Sequence, residues 1–331
     1  MKHEEIQFKR ARQLRLELKK GKDPYPEIVE IQPSEFCNQR CNYCFHSRKK
    51  ITSEPKNKYL NIEQYSALFS DLKKMKVKYL SISGGGEPFL YNDIIPLIKS
   101  AHETGIKTRI VTNGTLMTRA LMEELLRSQE IRFSVDAIKP STFEKIRGVN
   151  EETYQELIQK IKELIILRNE SKSRLSIGVT MLLSDKNYME VEDFCKNFLE
   201  LGVDRIIIKN NVYGKKALTK NKVNEITRKL DFMKDKRVEI RAKHEDEIFG
   251  TKCFIPYFKI AINPSGGVYS CCLAAQPTEK NGFFLGNLTQ DSLRDIWNKS
   301  KDLRLHALTN GVSCIVCNHT DISINKLMES T

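Results

Sequence analysis

The chain has 331 residues, 40% of them hydrophobic, and a formal net charge of +13. That length suits one large domain with a smaller companion, and the composition is that of a globular core rather than a disordered or fibrous chain. No run of about 18 or more apolar residues exists, so no membrane-spanning helix is expected, and the basic residues are interspersed with acids without interleaved aromatics, which reads as solvated helix faces rather than a nucleic-acid surface.

Taken in chain order, the N-terminal MKHEEIQFKRARQLRLELKK is charged throughout and has no apolar h-region. A cytoplasmic protein is expected, with residues 1–27 forming a helical extension that ends at GKDPYP. The first β run, IVEIQPS (28–34), leads straight into CNQRCNYC. Helical apolar spacing over 61–76 leads to YLSIS (79–83), a helix across 92–104 to TRIVTN (108–113), and a helix across 118–128 to IRFSVDA (131–137). A long helix over 153–169 leads to RLSIGVTMLL (174–183). The helix around Cys195 leads to DRIIIKN (204–210). Six β runs, five of them preceded by helical patterns, predict consecutive βα units, a parallel sheet, and a partial (β/α)6 barrel of the TIM kind. A further helix is predicted over 219–234. Beyond it the chain becomes rich in cysteine, glycine and proline; KIAI and GVYSC, joined by NPSG, predict a hairpin. A helix follows in SLRDIWNKSKDLRLHALTN. The expected division is a core at 28–245 and a small C-terminal domain at 250–331.

Nine cysteines in a chain expected in a reducing compartment read as metal or redox sites rather than disulfides. Cys37, Cys41 and Cys44 form one group; Cys253, Cys271, Cys272, Cys314 and Cys317 form the other. Cys195 shares a helical apolar face and is expected to be a buried small hydrophobe. Structural zinc takes four closed ligands, whereas a cubane iron–sulfur cluster held by three thiolates leaves one iron free for a further ligand. The second group supplies four thiolates, which suits a closed 4Fe–4S cluster or, as the alternative, zinc. Adjacent strand residues point to opposite faces, so one of Cys271 and Cys272 is expected to be a ligand and the other a packed thiol.

Cys-x3-Cys-x2-Cys directly after the first strand, with Tyr43 before the last cysteine, resembles the radical S-adenosylmethionine (radical SAM) superfamily. The resemblance covers about residues 28–210. It implies that the open iron chelates SAM, and that one electron cleaves SAM to methionine and a 5′-deoxyadenosyl radical that abstracts hydrogen from substrate. Family order then assigns SGGGEP, after the second strand, to the SAM amino group through Gly85, Gly86 and Glu87. It assigns Asn113 of TNGT, and Ser134 and Asp136 of SVDA, to further cofactor contacts, and Arg147 of FEKIRG to the SAM carboxylate. These positions lie at consecutive strand ends, where βα barrels collect functional groups. The C-terminal stretch resembles the SPASM/twitch branch, in the shorter form with one auxiliary cluster. That resemblance implies two 4Fe–4S clusters in all, the auxiliary one on Cys253, Cys271, Cys314 and Cys317.

The expected function is a radical SAM oxidoreductase that dehydrogenates a sugar or aminocyclitol-type molecule, with the auxiliary cluster accepting an electron. The alternatives are a ribosomal-peptide maturase, an epimerase using Cys272 as hydrogen donor, and a non-enzymatic zinc module. Expected partners are a small-molecule or peptide substrate and a flavodoxin- or ferredoxin-type electron donor, with no membrane and no nucleic acid. His46 is expected to be a loop residue without a role, and Trp297 to pack the small domain.

Overall fold

The computed structural model describes residues 12–44, 59–210, 218–233, 235–241, 249–272, 284–310, 312–313 and 319–330. The six β runs appear as β1 (Ile28–Ile31), β2 (Tyr79–Ile82), β3 (Lys107–Thr112), β4 (Glu130–Ser134), β5 (Ser176–Leu183) and β6 (Arg205–Asn210). Each pairs in parallel with the next. Helix α1 covers residues 12–19. It is followed by α2 (Ile62–Lys74), α3 (Ile94–Glu103), α4 (Arg119–Leu125), α5 (Pro140–Arg147), α6 (Glu151–Glu170), α7 (Val191–Leu201) and α8 (Lys220–Met233). These supply the crossovers that parallel neighbours require.

Local chemistry sets the helix ends. Asn61 and Gln64 form a reciprocal capping box on α2, and the Thr118 and Asn150 side chains cap α4 and α6. Helix α5 falls outside the helical periodicities read from the sequence. Pro140 opens it, and Gly148 closes it in the left-handed region at φ 64°. Gly148 also abuts the cysteine loop: a Cβ there would stand 2.7 Å from the Arg40 carbonyl oxygen, so only glycine fits.

The sheet is open and longer than six strands. β7 (Val238–Arg241) continues the parallel run beside β6. At the other edge β9 (Lys259–Ile262) pairs in parallel with β1. The NPSG turn then returns the chain as β10 (Gly267–Tyr269), antiparallel to β9, and β11 (Phe284–Asn287) follows antiparallel to β10. The full order is β11-β10-β9-β1-β2-β3-β4-β5-β6-β7, an unclosed α/β partial barrel. The predicted hairpin is present, and its first strand lengthens the core sheet. β8 (Phe249–Thr251) and β12 (Val312–Ser313) form a separate pair. The helix predicted in SLRDIWNKSKDLRLHALTN is interrupted at Ser300, giving α9 (Leu293–Lys299) and α10 (Lys301–Thr309); α11 (His319–Ser330) ends the described chain.

Register divides the sheet into two unlike faces. On the outer face Ile110, Ile131, Phe133, Ile177, Val179, Ile206 and Ile208 are fully buried with the helices, each worth about 1.5–3 kcal/mol of apolar burial. On the inner face Arg109 pairs in register with Glu130, Arg132 with Gly178, Gly178 with Arg205, and Lys209 with Arg241. Cys195 is fully buried on α7, as expected of a packed thiol. Trp297 is also buried, against Tyr25 and Tyr257, with the Arg304 guanidinium 3.7 Å from its ring centre.

Candidate active site

The cysteine loop leaves β1 at the C-terminal end of the sheet, where backbone bonds tie it on two sides. Gly86 N donates to the Ser34 carbonyl at 3.0 Å and Glu87 N to the Phe36 carbonyl at 2.6 Å. Opposite, Arg40 N donates to the Arg147 carbonyl at 2.9 Å and Asn42 N to the Ile146 carbonyl at 3.0 Å. Gly86 lies flat against the loop, since a Cβ there would meet the Phe36 carbonyl oxygen at 2.0 Å. The segment after β2 and the end of α5 therefore grip the loop and hold its three cysteines, although the loop itself has no regular secondary structure.

The thiols sit among donors. Gln39 N approaches Cys37 Sγ at 3.4 Å and Asn113 Nδ2 approaches it at 3.8 Å. Arg147 Nη1 donates toward Cys41 Sγ at 3.5 Å. Cys41 is buried; Cys37 and Cys44 are half-buried. Burial pushes the Cys37 thiol up to about 11 and raises that of Cys41, with Arg147 opposing the rise at Cys41. Thiols so raised stay protonated unless a cation holds them as thiolates. Donors aimed at the sulfurs of Cys37 and Cys41, on a loop that carries all three cysteines, suit thiolate ligands of an iron–sulfur cluster, although among the described residues no three His, Cys, Asp or Glu side chains stand as a preformed metal site.

A buried carboxylate organises the far side. Asp136 adopts φ 68° just beyond β4. Its Oδ2 accepts from the Tyr43 hydroxyl and lies 2.8 Å from Arg147 Nη2, and its Oδ1 accepts from Leu182 N at 2.7 Å. Asn187, fully buried after β5, donates to the Asp136 carbonyl at 2.7 Å. Burial raises the Tyr43 hydroxyl well above its ordinary value. Arg147 is raised despite its burial, because Asp136 and Tyr43 face it. Asp136 and Arg147 are thus engaged with each other and with the loop.

Glu87 is equally engaged. Its Oε1 accepts from Thr112 Oγ1 at 2.5 Å and from Phe89 N at 3.1 Å, and its Oε2 accepts from Asn113 N at 2.8 Å. The side chain expected to meet an ammonium also clamps the ends of β2 and β3; burial raises its carboxyl nonetheless. Asn113 Nδ2 donates to Asn38 Oδ1 at 2.8 Å, and Asn38 Nδ2 to Thr115 Oγ1 at 2.8 Å. Gly85 is buried beside this clamp, and Ser134 is half-buried at the end of β4. The structure therefore gathers Cys37, Cys41, Cys44, Tyr43, Gly85, Gly86, Glu87, Asn113, Asp136 and Arg147 about one end of the sheet. Sequence reading missed Gln39 and Asn187. Gln39 stood inside the motif, its side-chain oxygen 3.5 Å from Arg147 Nη1. Asn187 ends the turn-forming run SDKN, where Ser184 N donates to Asn187 Oδ1 at 2.7 Å and Lys186 N donates to Ser184 Oγ at 3.3 Å.

The second cysteine group is described in part. Asn325 Nδ2 donates toward Cys253 Sγ at 3.9 Å. Cys271 and Cys272 follow β10, and Lys259, paired with Asp321 at 2.7 Å, donates toward Cys272 Sγ at 3.8 Å. Burial raises the Cys272 thiol, with Lys259 opposing. Cys314, Cys317 and His46 lie outside the described residues.

The radical SAM superfamily model matches residues 31–198, and a SPASM iron–sulfur cluster-binding domain matches residues 253–318. A cysteine loop on a partial barrel, followed by such a domain, defines a SAM-dependent iron–sulfur enzyme. The chain belongs to the radical SAM superfamily, in its SPASM branch. Its cofactors are SAM with a 4Fe–4S cluster, and an additional iron–sulfur cluster in the C-terminal domain. The chain is 24% identical over 325 residues to the tungsten-containing aldehyde ferredoxin oxidoreductase cofactor-modifying protein of Pyrococcus furiosus, across 89% of this chain and 88% of that one. It is 22% identical to the PqqA peptide cyclase of Bradyrhizobium diazoefficiens, across 57% of this chain and 47% of that one. Streptococcus suis SuiB bound to its precursor peptide SuiA shares the fold, with a TM-score of 0.70, 20% identity, and coverage of 91% and 71%. Among the described residues no helix is long and apolar enough to cross a membrane.

Proposed function

We propose that this radical SAM enzyme modifies a peptide. The sequence alone favoured oxidation of a sugar or aminocyclitol; the PqqA peptide cyclase among the relatives supports the peptide alternative instead. The carrying observation is the joining of the cysteine-loop core to a SPASM region through one continuous sheet. When bound, cluster and SAM supply a 5′-deoxyadenosyl radical able to take hydrogen from an unactivated carbon.

In this reading Cys37, Cys41 and Cys44 hold the SAM cluster, and Cys253, Cys271, Cys314 and Cys317 hold the auxiliary one. Arg147, Asn113 and Gln39 donate toward the cysteine loop and favour its thiolates. Asp136, Tyr43 and Asn187 hold Arg147 in place, and Glu87 keeps the β2 and β3 ends together. Gly85, Gly86 and Ser134 then line the approach of SAM, where absent or short side chains leave the backbone open to it. The division at 1–27, 28–245 and 250–331, the cytoplasmic location and a flavodoxin- or ferredoxin-type electron donor belong to the same proposal. The near full-length match to the Pyrococcus furiosus protein favours a second reading, in which the substrate is a small cofactor.

The test is anaerobic reconstitution with SAM, dithionite and a short peptide encoded beside the gene. The expected result is a mass change in the peptide matched by 5′-deoxyadenosine. SAM cleavage without peptide modification overturns the peptide reading. Normal SAM cleavage by Cys41→Ala overturns the cluster assignment.

A further inference from the structure

From β3 to β7 the inner face of the sheet carries more cationic than anionic side chains. By register, Arg109, Glu130, Arg132, Arg205, Lys209, Glu239 and Arg241 all project from this face of β3 to β7. The two glutamates are already shared among three arginines. Glu130 lies 3.4 Å from Arg109 and 3.5 Å from Arg205, and Glu239 pairs with both Arg205 and Arg241. That network accounts for a structural role of those five residues. It leaves Arg132 and Lys209, which form no hydrogen bond or ion pair among the described residues, and Arg132 Nε is buried without a partner.

Both side chains are half-buried. Gly178 lies between the Arg132 and Arg205 positions; a Cβ there would be 3.2 Å from the Arg205 carbonyl oxygen and 3.9 Å from Arg132 Cγ. The missing side chain leaves room beside both stems. Burial, then repulsion from Arg132 and Arg241, lowers the Lys209 ammonium to about 7; burial lowers Arg132 to about 10. Holding two unpaired cations beside other guanidinium groups is costly in the free protein. Register sets Arg132 level with Arg205, four residues before Lys209 on β6, and Arg132 is the strongest charged neighbour acting on Lys209; an oxyanion bridging the two removes that cost, and guanidinium and ammonium donors suit a carboxylate or a phosphate. Lys209 and Arg241 stand at the C-terminal ends of β6 and β7, the same end of the parallel sheet from which the cysteine loop leaves β1.

We propose that Arg132 and Lys209, on the inner face of β4 and β6, bind an anionic group of the substrate. The group is a carboxylate of an acidic peptide residue or a phosphate of a small molecule. The proposal rests on the radical SAM reading only in taking the inner face as the place where substrate meets the cofactor.

The test is calorimetric titration of the reconstituted holoenzyme, without reductant, with inorganic pyrophosphate and separately with a hexaglutamate peptide. Saturable binding of at least one probe is expected. Arg132→Gln and Lys209→Gln should each weaken it about tenfold, the value of one hydrogen bond to a charged group. Lys99→Gln, on the exposed side of α3, should leave it unchanged. Circular dichroism and iron content establish that each variant is folded; should Arg132→Gln fail to fold, Lys209→Gln decides alone, with recovery in Lys209→Arg. Binding of pyrophosphate alone assigns a phosphorylated small molecule, and binding of hexaglutamate alone assigns an acidic peptide. No binding of either probe, or unchanged affinity in both variants, overturns the proposal. Because binding is read without turnover, failure of peptide modification sinks the preceding proposal and leaves this one standing.

Discussion

Replacing Arg147 by methionine tests how the cysteine loop is held. Arg147 is 4% exposed and its partner Asp136 is 1% exposed, so the substitution leaves a carboxylate buried without its cation. Breaking a buried pair in this way costs about 3–5 kcal/mol. Asp136 keeps Leu182 N and the Tyr43 hydroxyl as donors, which puts the expected loss near the lower figure, about 3 kcal/mol, against a typical total of about 5–15 kcal/mol. The assay is urea denaturation of the cluster-free protein followed by circular dichroism, so that iron does not mask the effect. Asp136→Asn in the same chain removes the orphaned charge. The double variant should therefore lose less than the sum of the single losses, by about 1–3 kcal/mol. Iron retention at the first site should also fall in Arg147→Met, since Nη1 no longer donates toward Cys41. A loss below about 1 kcal/mol, or strict additivity in the double variant, would show that the pair does not organise the loop.

Gly86→Ala drives a methyl group into the Phe36 carbonyl; the loop must move, and both iron at the first site and SAM cleavage should drop sharply, while retention of both would contradict the close approach. Iron and sulfide analysis of the anaerobic holoenzyme should give about eight irons per chain for two four-iron clusters, and about four in Cys253→Ala; a wild-type value near four removes one cluster from the assignment. Cys272→Ala should still modify substrate if the thiol only packs, whereas continued 5′-deoxyadenosine formation without product would restore the hydrogen-donor alternative. His102 sits between Glu124, Thr108 and Ser128, and burial lowers it below its ordinary 6.5 despite the Glu124 bond. As pH falls below 6.5 the unfolded chain takes up a proton that the folded chain refuses, so stability drops in that window and is flat above it. His102→Gln should remove that slope in urea midpoints measured across the window, and an unchanged slope would assign it to other groups.

The sequence by itself determined the βα series, the hairpin after residue 258 and the class of cofactor. Each is written in local terms: apolar periodicity, turn residues and the spacing of three cysteines. Helix α5 escaped because its apolar positions are few, and only its proline and glycine ends mark it. The tertiary structure decided what local pattern cannot carry. Pairing of β9 with β1 joins residues far apart in the chain and depends on register rather than composition. Family order placed Glu87, Asp136 and Arg147 near the cofactor; the fold adds that Asp136 and Arg147 face each other with Tyr43, and that Glu87 bonds the strand ends, because buried charges need partners where they stand. Arg132 and Lys209 looked like two more among scattered basic residues. Only the parallel register, which puts every second residue on the inner face, separates them from the solvated lysines and arginines and sets them beside other cations without an ion pair of their own.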